Sequence, residues 1–222
     1  MFLDPGLAGG GLLALCWGLF AAGLLLAVRR APWRQLRTAP RRIHLVAGGA
    51  LACLVLWLLN IRAIDGLVLH LLGVTTLTLV VGWSLAVLAA TASLLAFALV
   101  TDVSVAGLPL AWLFSVALPA SVSYLLVRAL YRPGLGNPFF YIWGAGFAGG
   151  ALVVLLDALL ALALFAFLGL ERWISNALDL WPLIFLVMFS EAFINGMCIA
   201  ALAIFHPDAV KTFDDRFYLG ER

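Results

Sequence analysis

Apolar runs, each close to the length needed to cross a bilayer, recur along the whole chain, and polar residues collect in the gaps between them. The first covers Leu7 to Val28, enough for ~30 Å of hydrocarbon at ~1.5 Å per residue. It follows Asp4 rather than Lys or Arg, and a basic cluster comes after it. That order reads as a retained helix with its N-terminus outside, not as a cleaved signal. A second run covers 43–60. Residues 66–100 are apolar throughout and would make a single helix ~50 Å long, more than a membrane holds. A break near Gly82-Trp83-Ser84 is therefore expected. Its two parts are short for full spans, and one can begin as a re-entrant segment buried by its neighbours. Further runs at 110–130, 139–168 and 182–205 complete seven spans: 7–28, 43–60, 67–81, 83–100, 110–130, 139–168 and 182–205.

Charge tests this count. With seven spans and an outside N-terminus, the cytoplasmic side holds Arg29, Arg30, Arg34, Arg37, Arg41, Arg42, Arg128, Arg132, Lys211, Arg216 and Arg222, leaving only Arg62 and Arg172 outside. Six spans would divide the basic residues almost evenly. The positive-inside rule prefers seven. The predicted architecture is an all-α polytopic membrane helix bundle: a single transmembrane domain over 1–205 and a short cytoplasmic tail over 206–222.

Composition agrees. At 65% hydrophobic and 11% charged, the chain lies outside the range of water-soluble domains. A soluble enzyme, a disordered regulator and a nucleic-acid partner are excluded, and lipid is the surrounding medium. Cys16, Cys53 and Cys198 are too scattered for a thiolate metal site or a disulfide framework. No phosphate loop, zinc-protease motif, Ser-His-Asp order or haem-attachment pattern occurs, so no enzyme is expected.

Ionisable groups inside spans are costly and mark function. Asp157 and Glu191 fall at matching depth, roughly 14–17 Å below the outer interface of consecutive helices. Asp157 continues the small-residue line Gly146, Gly150, Val153, by which membrane helices approach closely. Glu191 shares a face with Met188, Asn195 and Cys198. No basic residue is expected within a span, so each acid is protonated, hydrogen-bonded or facing a cation. His70 is placed one turn inside the third span, with Thr78 two turns deeper on its face and Thr75 and Thr76 nearby. Asp102 belongs to the outer loop after the fourth span. Ala14, Gly18 and Ala22 give the first helix a close-packing face, for another helix of the bundle or for a partner subunit.

The segment Asn60-Ile-Arg-Ala-Ile-Asp65-Gly66, then His70 and Gly73, Gly82-Trp83 and the Val103–Gly107 loop resemble the cobalt/nickel energy-coupling-factor permeases. Gly136-Asn137-Pro138, Asp157 and Glu191-Ala-Phe-Ile-Asn195-Gly196 extend the likeness over about 43–205. The resemblance implies seven helices, an outside N-terminus, a multi-pass place in the bacterial cytoplasmic (inner) membrane and separate coupling and ATPase subunits. It also implies a divalent metal held by a Met-His start and by a histidine matching His70. Here the chain begins Met1-Phe2-Leu3-Asp4, and Leu67, Val68, Leu69, Leu71 and Leu72 surround His70. The likeness makes this a divergent member.

The leading reading is thus a substrate-binding subunit for a divalent transition-metal cation, with His70, Asp157, Glu191 and Asn195 as candidate ligands and no other cofactor. The alternatives are a non-transporting membrane subunit that assembles or stabilises a larger complex, and an ion pathway through Asp157 and Glu191.

Overall fold

The computed structural model describes residues 9–62, 68–101 and 104–220. The expectations placed on Met1–Asp4, Asp65-Gly66, Asp102 and the start of the first run fall outside these. In chain order the elements are α1 (Gly10–Arg30), α2 (Trp33–Thr38), α3 (Pro40–Leu58), β1 (Asn60–Arg62), β2 (Val68–His70), α4 (Val74–Val81) and α5 (Trp83–Thr101). They continue with α6 (Val105–Leu130), α7 (Pro138–Phe167), α8 (Glu171–Asp179), α9 (Trp181–Phe205) and α10 (Asp215–Leu219). Six of the described helices, α1, α3, α5, α6, α7 and α9, are long and apolar enough to cross a membrane. The molecule is a polytopic helical bundle with α5 and α6 at its centre and α1 and α3 at its edge.

The run expected to form a helical span over 67–81 folds differently. Its first part is β2, paired antiparallel with β1 in the register Asn60 to His70. Only Val74–Val81 is helical, ~12 Å long at ~1.5 Å per residue. Left-handed Gly73 (φ 66°) precedes α4 and Gly82 (φ 85°) follows it. An L side chain is strained at such angles, so these two glycines permit both sharp turns. Strand, turn and half-helix together carry the chain from the far end of α3 to the other end of the bundle. A purely apolar run satisfies strand and helix alike, and so its sequence hides this division.

That second end gathers the basic residues. Ser84 bonds the Arg30 carbonyl (3.4 Å), which brings the end of α1 to the start of α5. The stem of Lys211 lies over Gly82, and Arg41 at the start of α3 pairs with Asp208 (2.6 Å). The segment after α9 also closes α4: the Thr212 and Lys211 amides donate to the Leu79 (3.2 Å) and Val80 (3.0 Å) carbonyls. The Thr212 hydroxyl donates its single proton to Leu79 O (2.9 Å), so the Tyr141 hydroxyl donates to Thr212 (2.7 Å). Further along, Asp214 caps α10, accepting from the Arg216 (3.1 Å) and Phe217 (3.4 Å) amides and from the Tyr131 hydroxyl (2.9 Å).

The small-residue line on α7 meets α9. A Cβ on Gly150 would stand 2.9 Å from the Glu191 carbonyl oxygen, and one on Gly146 would stand 3.2 Å from Gly196 Cα. The face at Ala14, Gly18 and Ala22 does not pack within the bundle: all three are exposed, and nothing lies within 4 Å of a Cβ built on Gly18. Instead α1 packs through Cys16, Gly23 and Ala27, with Trp112 seated against Gly23. Four-residue spacing of small residues signals a possible close approach but not the side from which it comes.

Two outcomes follow. Gly150→Ala should lower thermal stability in detergent by ~1–3 kcal/mol through overpacking against backbone, while Gly18→Ala should not lower it; equal losses would refute the close α7–α9 contact. The Tyr131 hydroxyl bond also holds the Asp214 carboxyl below its usual range. A depressed carboxyl stabilises the docked tail above its unfolded value of ~3.9 and loses that contribution as pH falls through the folded value. Asp214→Asn should therefore speed trypsin cleavage at Lys211 and Arg216 several-fold near neutral pH. In the wild type, equivalent pepsin sensitivity should arise only well below pH ~3.9.

Candidate functional site

Glu191 and Asn195 lie one turn apart on α9, about 15 Å into it at helical rise, and both are buried. The Gly150 contact brings this part of α9 close to α7, and the two side chains point at the start of α4. There the leading N–H groups of a helix have no partner within it. Glu191 Oε2 accepts from the Leu72 amide and Oε1 from the Gly73 amide, each at 2.7 Å. Asn195 Oδ1 accepts from the Thr76 amide (2.8 Å) and hydroxyl (2.7 Å). The Asn195 amide group donates back to the Glu191 carbonyl (2.7 Å) and to Oε1 (2.8 Å). Both side chains thus serve as caps for a helix that begins inside the bundle. The backbone partners were invisible from sequence, which showed only that both residues point inward.

His70 stands in β2, not on a helix, so the expected shared face with Thr78 does not exist. Its ring is buried, 5.5 Å from the Trp57 ring. Nδ1 lies 3.1 Å from the Leu71 carbonyl and Nε2 lies 3.4 Å from Ser115 Oγ. A carbonyl only accepts, so the Leu71 bond places the proton on Nδ1, and Nε2 then accepts from the Ser115 hydroxyl. Trp57 supports the same turn, its indole N–H donating to the Leu72 carbonyl at 3.0 Å. Ser115 sits in the widened π-type turns Leu113–Ala117 of α6. Pro119 has no N–H for the Ser115 carbonyl, and such an interruption favours local widening of the helix. Sequence reading missed Trp57 and Ser115, although Pro119 four residues on was the available signal.

Asp157 is buried in the middle of α7, and its Oδ1 has no hydrogen-bond partner among the described residues. It shares with His70 a chamber of about 40 Å³, walled by Leu72, Val154, Phe165, Trp181 and Ile184. Glu191 and Asn195 are not on this wall. Of the four candidate ligands, the fold therefore brings His70 and Asp157 to one space and turns the other two to the backbone of 72–76. Among the described residues no three His, Cys, Asp or Glu side chains converge in a metal-holding group. The chamber is far below the ~300–1,000 Å³ that encloses a drug-sized molecule. It has room for a small ion and one or two waters, at ~10–15 Å³ each.

The two buried acids should separate by mutation. Glu191→Ala strands the Leu72 and Gly73 amides and should lower thermal stability by ~1–3 kcal/mol per uncapped group. Asp157→Asn should leave the unfolding temperature in detergent nearly unchanged. The reverse order would contradict the capping role.

Comparisons with known proteins agree with this architecture. A crystal structure described as a transition metal transporter superposes with a TM-score of 0.72 at 17% identity, covering 92% of this chain and 93% of that one. A truncated transition metal transporter gives 0.71 at 17% identity, covering 93% and 100%. At such identity the likeness is one of fold. Among curated proteins none matches significantly. A family model described as the cobalt uptake substrate-specific transmembrane region (CbiM) matches residues 5–209, nearly the whole length, and the chain belongs to that family.

Proposed function

We propose that this chain is the substrate-binding membrane subunit of an energy-coupling-factor type uptake system, and that its substrate is a divalent transition-metal cation. The observation that carries the reading is the chamber lined by both His70 and Asp157, an imidazole and a carboxyl group whose Oδ1 has no partner among the described residues, inside an otherwise largely apolar wall. A carboxyl group so placed is expensive without a partner, and a cation supplies one. Imidazole nitrogen with carboxylate oxygen suits borderline metals such as cobalt, nickel and zinc. Glu191 acts one step removed, holding the Leu72 and Gly73 amides of the turn that follows His70, and Asn195 holds Thr76 and orients Glu191. Family membership supports uptake as the activity, and ATP hydrolysis is assigned to separate subunits in a bacterial inner membrane. The basic end of the bundle then faces the cytoplasm, in line with the positive-inside rule.

One observation favours the second reading, a non-transporting subunit of a larger complex. Two protein donors leave most of a transition metal's coordination unmet, while Ala14, Gly18 and Ala22 offer an outward face.

Equilibrium binding of cobalt, nickel, zinc and copper to the purified full chain tests the transport reading. At least one metal should bind saturably, and His70→Ala and Asp157→Asn should each weaken it by about tenfold or more. Lack of saturable binding by all four, with a stoichiometric partner complex containing no ATPase, would establish the second reading instead.

A further inference from the structure

At the basic end a cavity of about 120 Å³ lies between the start of α3, the end of α4 and the segment after α9. Arg41, Arg42 and Asp208 supply its polar wall, and Leu45, Val46 and Val80 much of its apolar wall. Arg41 is neutralised by Asp208. Among the described residues, Arg42 and Lys211 have no ion pair. Lys211 follows wall residue Ala209 by two positions, and its ammonium lies over Gly82, beside wall residue Val81. Burial and the Arg42 charge lower the Lys211 pKa, and the carboxylate of this corner, Asp208, is already paired with Arg41.

A second, larger space adjoins this corner, with Leu45 and Val80 as shared wall residues. It is a groove of about 250 Å³ that lies between α3 and α9, over the outer surface of the half-helix α4. Its wall is apolar apart from Thr76 and Asn195, with the small residues Gly48, Gly49 and Ala52 on α3 and Leu77 on α4. A Cβ built on Gly48 would meet nothing within 4 Å. From Leu45 to Leu56 the groove follows α3 for ~17 Å at ~1.5 Å per residue, close to the ~15 Å of one leaflet of a ~30 Å hydrocarbon core.

We propose that an anionic phospholipid occupies these two adjoining spaces, its phosphate between Arg42 and Lys211 and one acyl chain along the groove over α4. Charge complementarity and a leaflet-length, largely apolar groove adjoining the basic corner single out this occupant. A zwitterionic lipid brings no net charge to balance the two cations, and a soluble phosphate leaves the groove unfilled. Basic pockets between membrane helices at the cytoplasmic surface have this recognition chemistry. The site is independent of the chamber at His70 and Asp157, so the proposal does not rest on metal transport.

The test is native mass spectrometry of the full chain in detergent, titrated with phosphatidylglycerol or phosphatidylethanolamine of matched acyl chains, with soluble glycerol phosphate as competitor. One phosphatidylglycerol should be retained in preference to phosphatidylethanolamine by about tenfold, a difference worth ~1.4 kcal/mol. The double variant Arg42→Gln, Lys211→Gln should abolish the preference; the Lys211 amide that caps α4 is untouched by it. Gly48→Leu, which fills the groove and leaves both cations in place, should reduce retention of either lipid. Equal retention of the two lipids by the wild type would overturn the proposal. So would unaltered retention by both variants, displacement by glycerol phosphate at lipid-like concentrations, or a protein helix found seated in the groove. If the double variant does not fold, the wild-type preference between the two lipids and the Gly48→Leu result together decide.

Discussion

A helix that starts inside a membrane protein leaves backbone amides that cannot be left to hydrocarbon, and the carbonyls at its other end need partners too. The eight residues of α4 are in that position. Glu191 and Asn195 take up amides at its entry, and Thr212 and the Lys211 backbone take up carbonyls at its exit. Much of the remaining architecture follows from meeting these demands. The glycines of α7 let α9 come close at the level of Glu191, and Tyr141 on α7 holds Thr212 against α4.

This arrangement also explains how a histidine is held in a region that has almost no polar residues. The turn at 71–73 is fixed from three directions: Glu191 from α9, the Trp57 indole from α3 and the Leu71 carbonyl bonded by the His70 ring itself. His70 therefore reaches the chamber on extended backbone with little freedom. Asp157 lines the same chamber from α7, which packs closely on α9 through Gly150. Capping residues and chamber residues are different sets, but they share one framework.

The sequence made the six long helices plain, because a run of apolar residues of bilayer length has few other uses. It also showed that Asp157, Glu191 and Asn195 turn inward and that the chain breaks at Gly82. It did not show that 68–73 leaves the helix: Leu, Val and His carry no periodicity that separates a buried strand from a buried helix, and Gly73 was the one local sign. The partners of Glu191 were hidden because they are backbone groups, which every residue possesses. The outward turn of Gly18 was hidden because small residues mark where helices can approach without marking which helix does.

The closing of α4 by residues from the far end of the chain bears on how the protein is made. Thr212 and Leu79 are 133 positions apart, and Glu191 and Leu72 are 119 apart. A ribosome delivering the chain into a membrane releases residues 68–81 long before their partners exist. Until α9 and the tail emerge, this stretch has no satisfied place in the bilayer and must wait in some other environment, at the interface or against an insertion factor. The arrival of the last helix then supplies the partners of a segment made more than a hundred residues earlier. Loss of the C-terminal segment would be felt first in the middle of the molecule, at the half-helix, and not at the end from which the residues were removed.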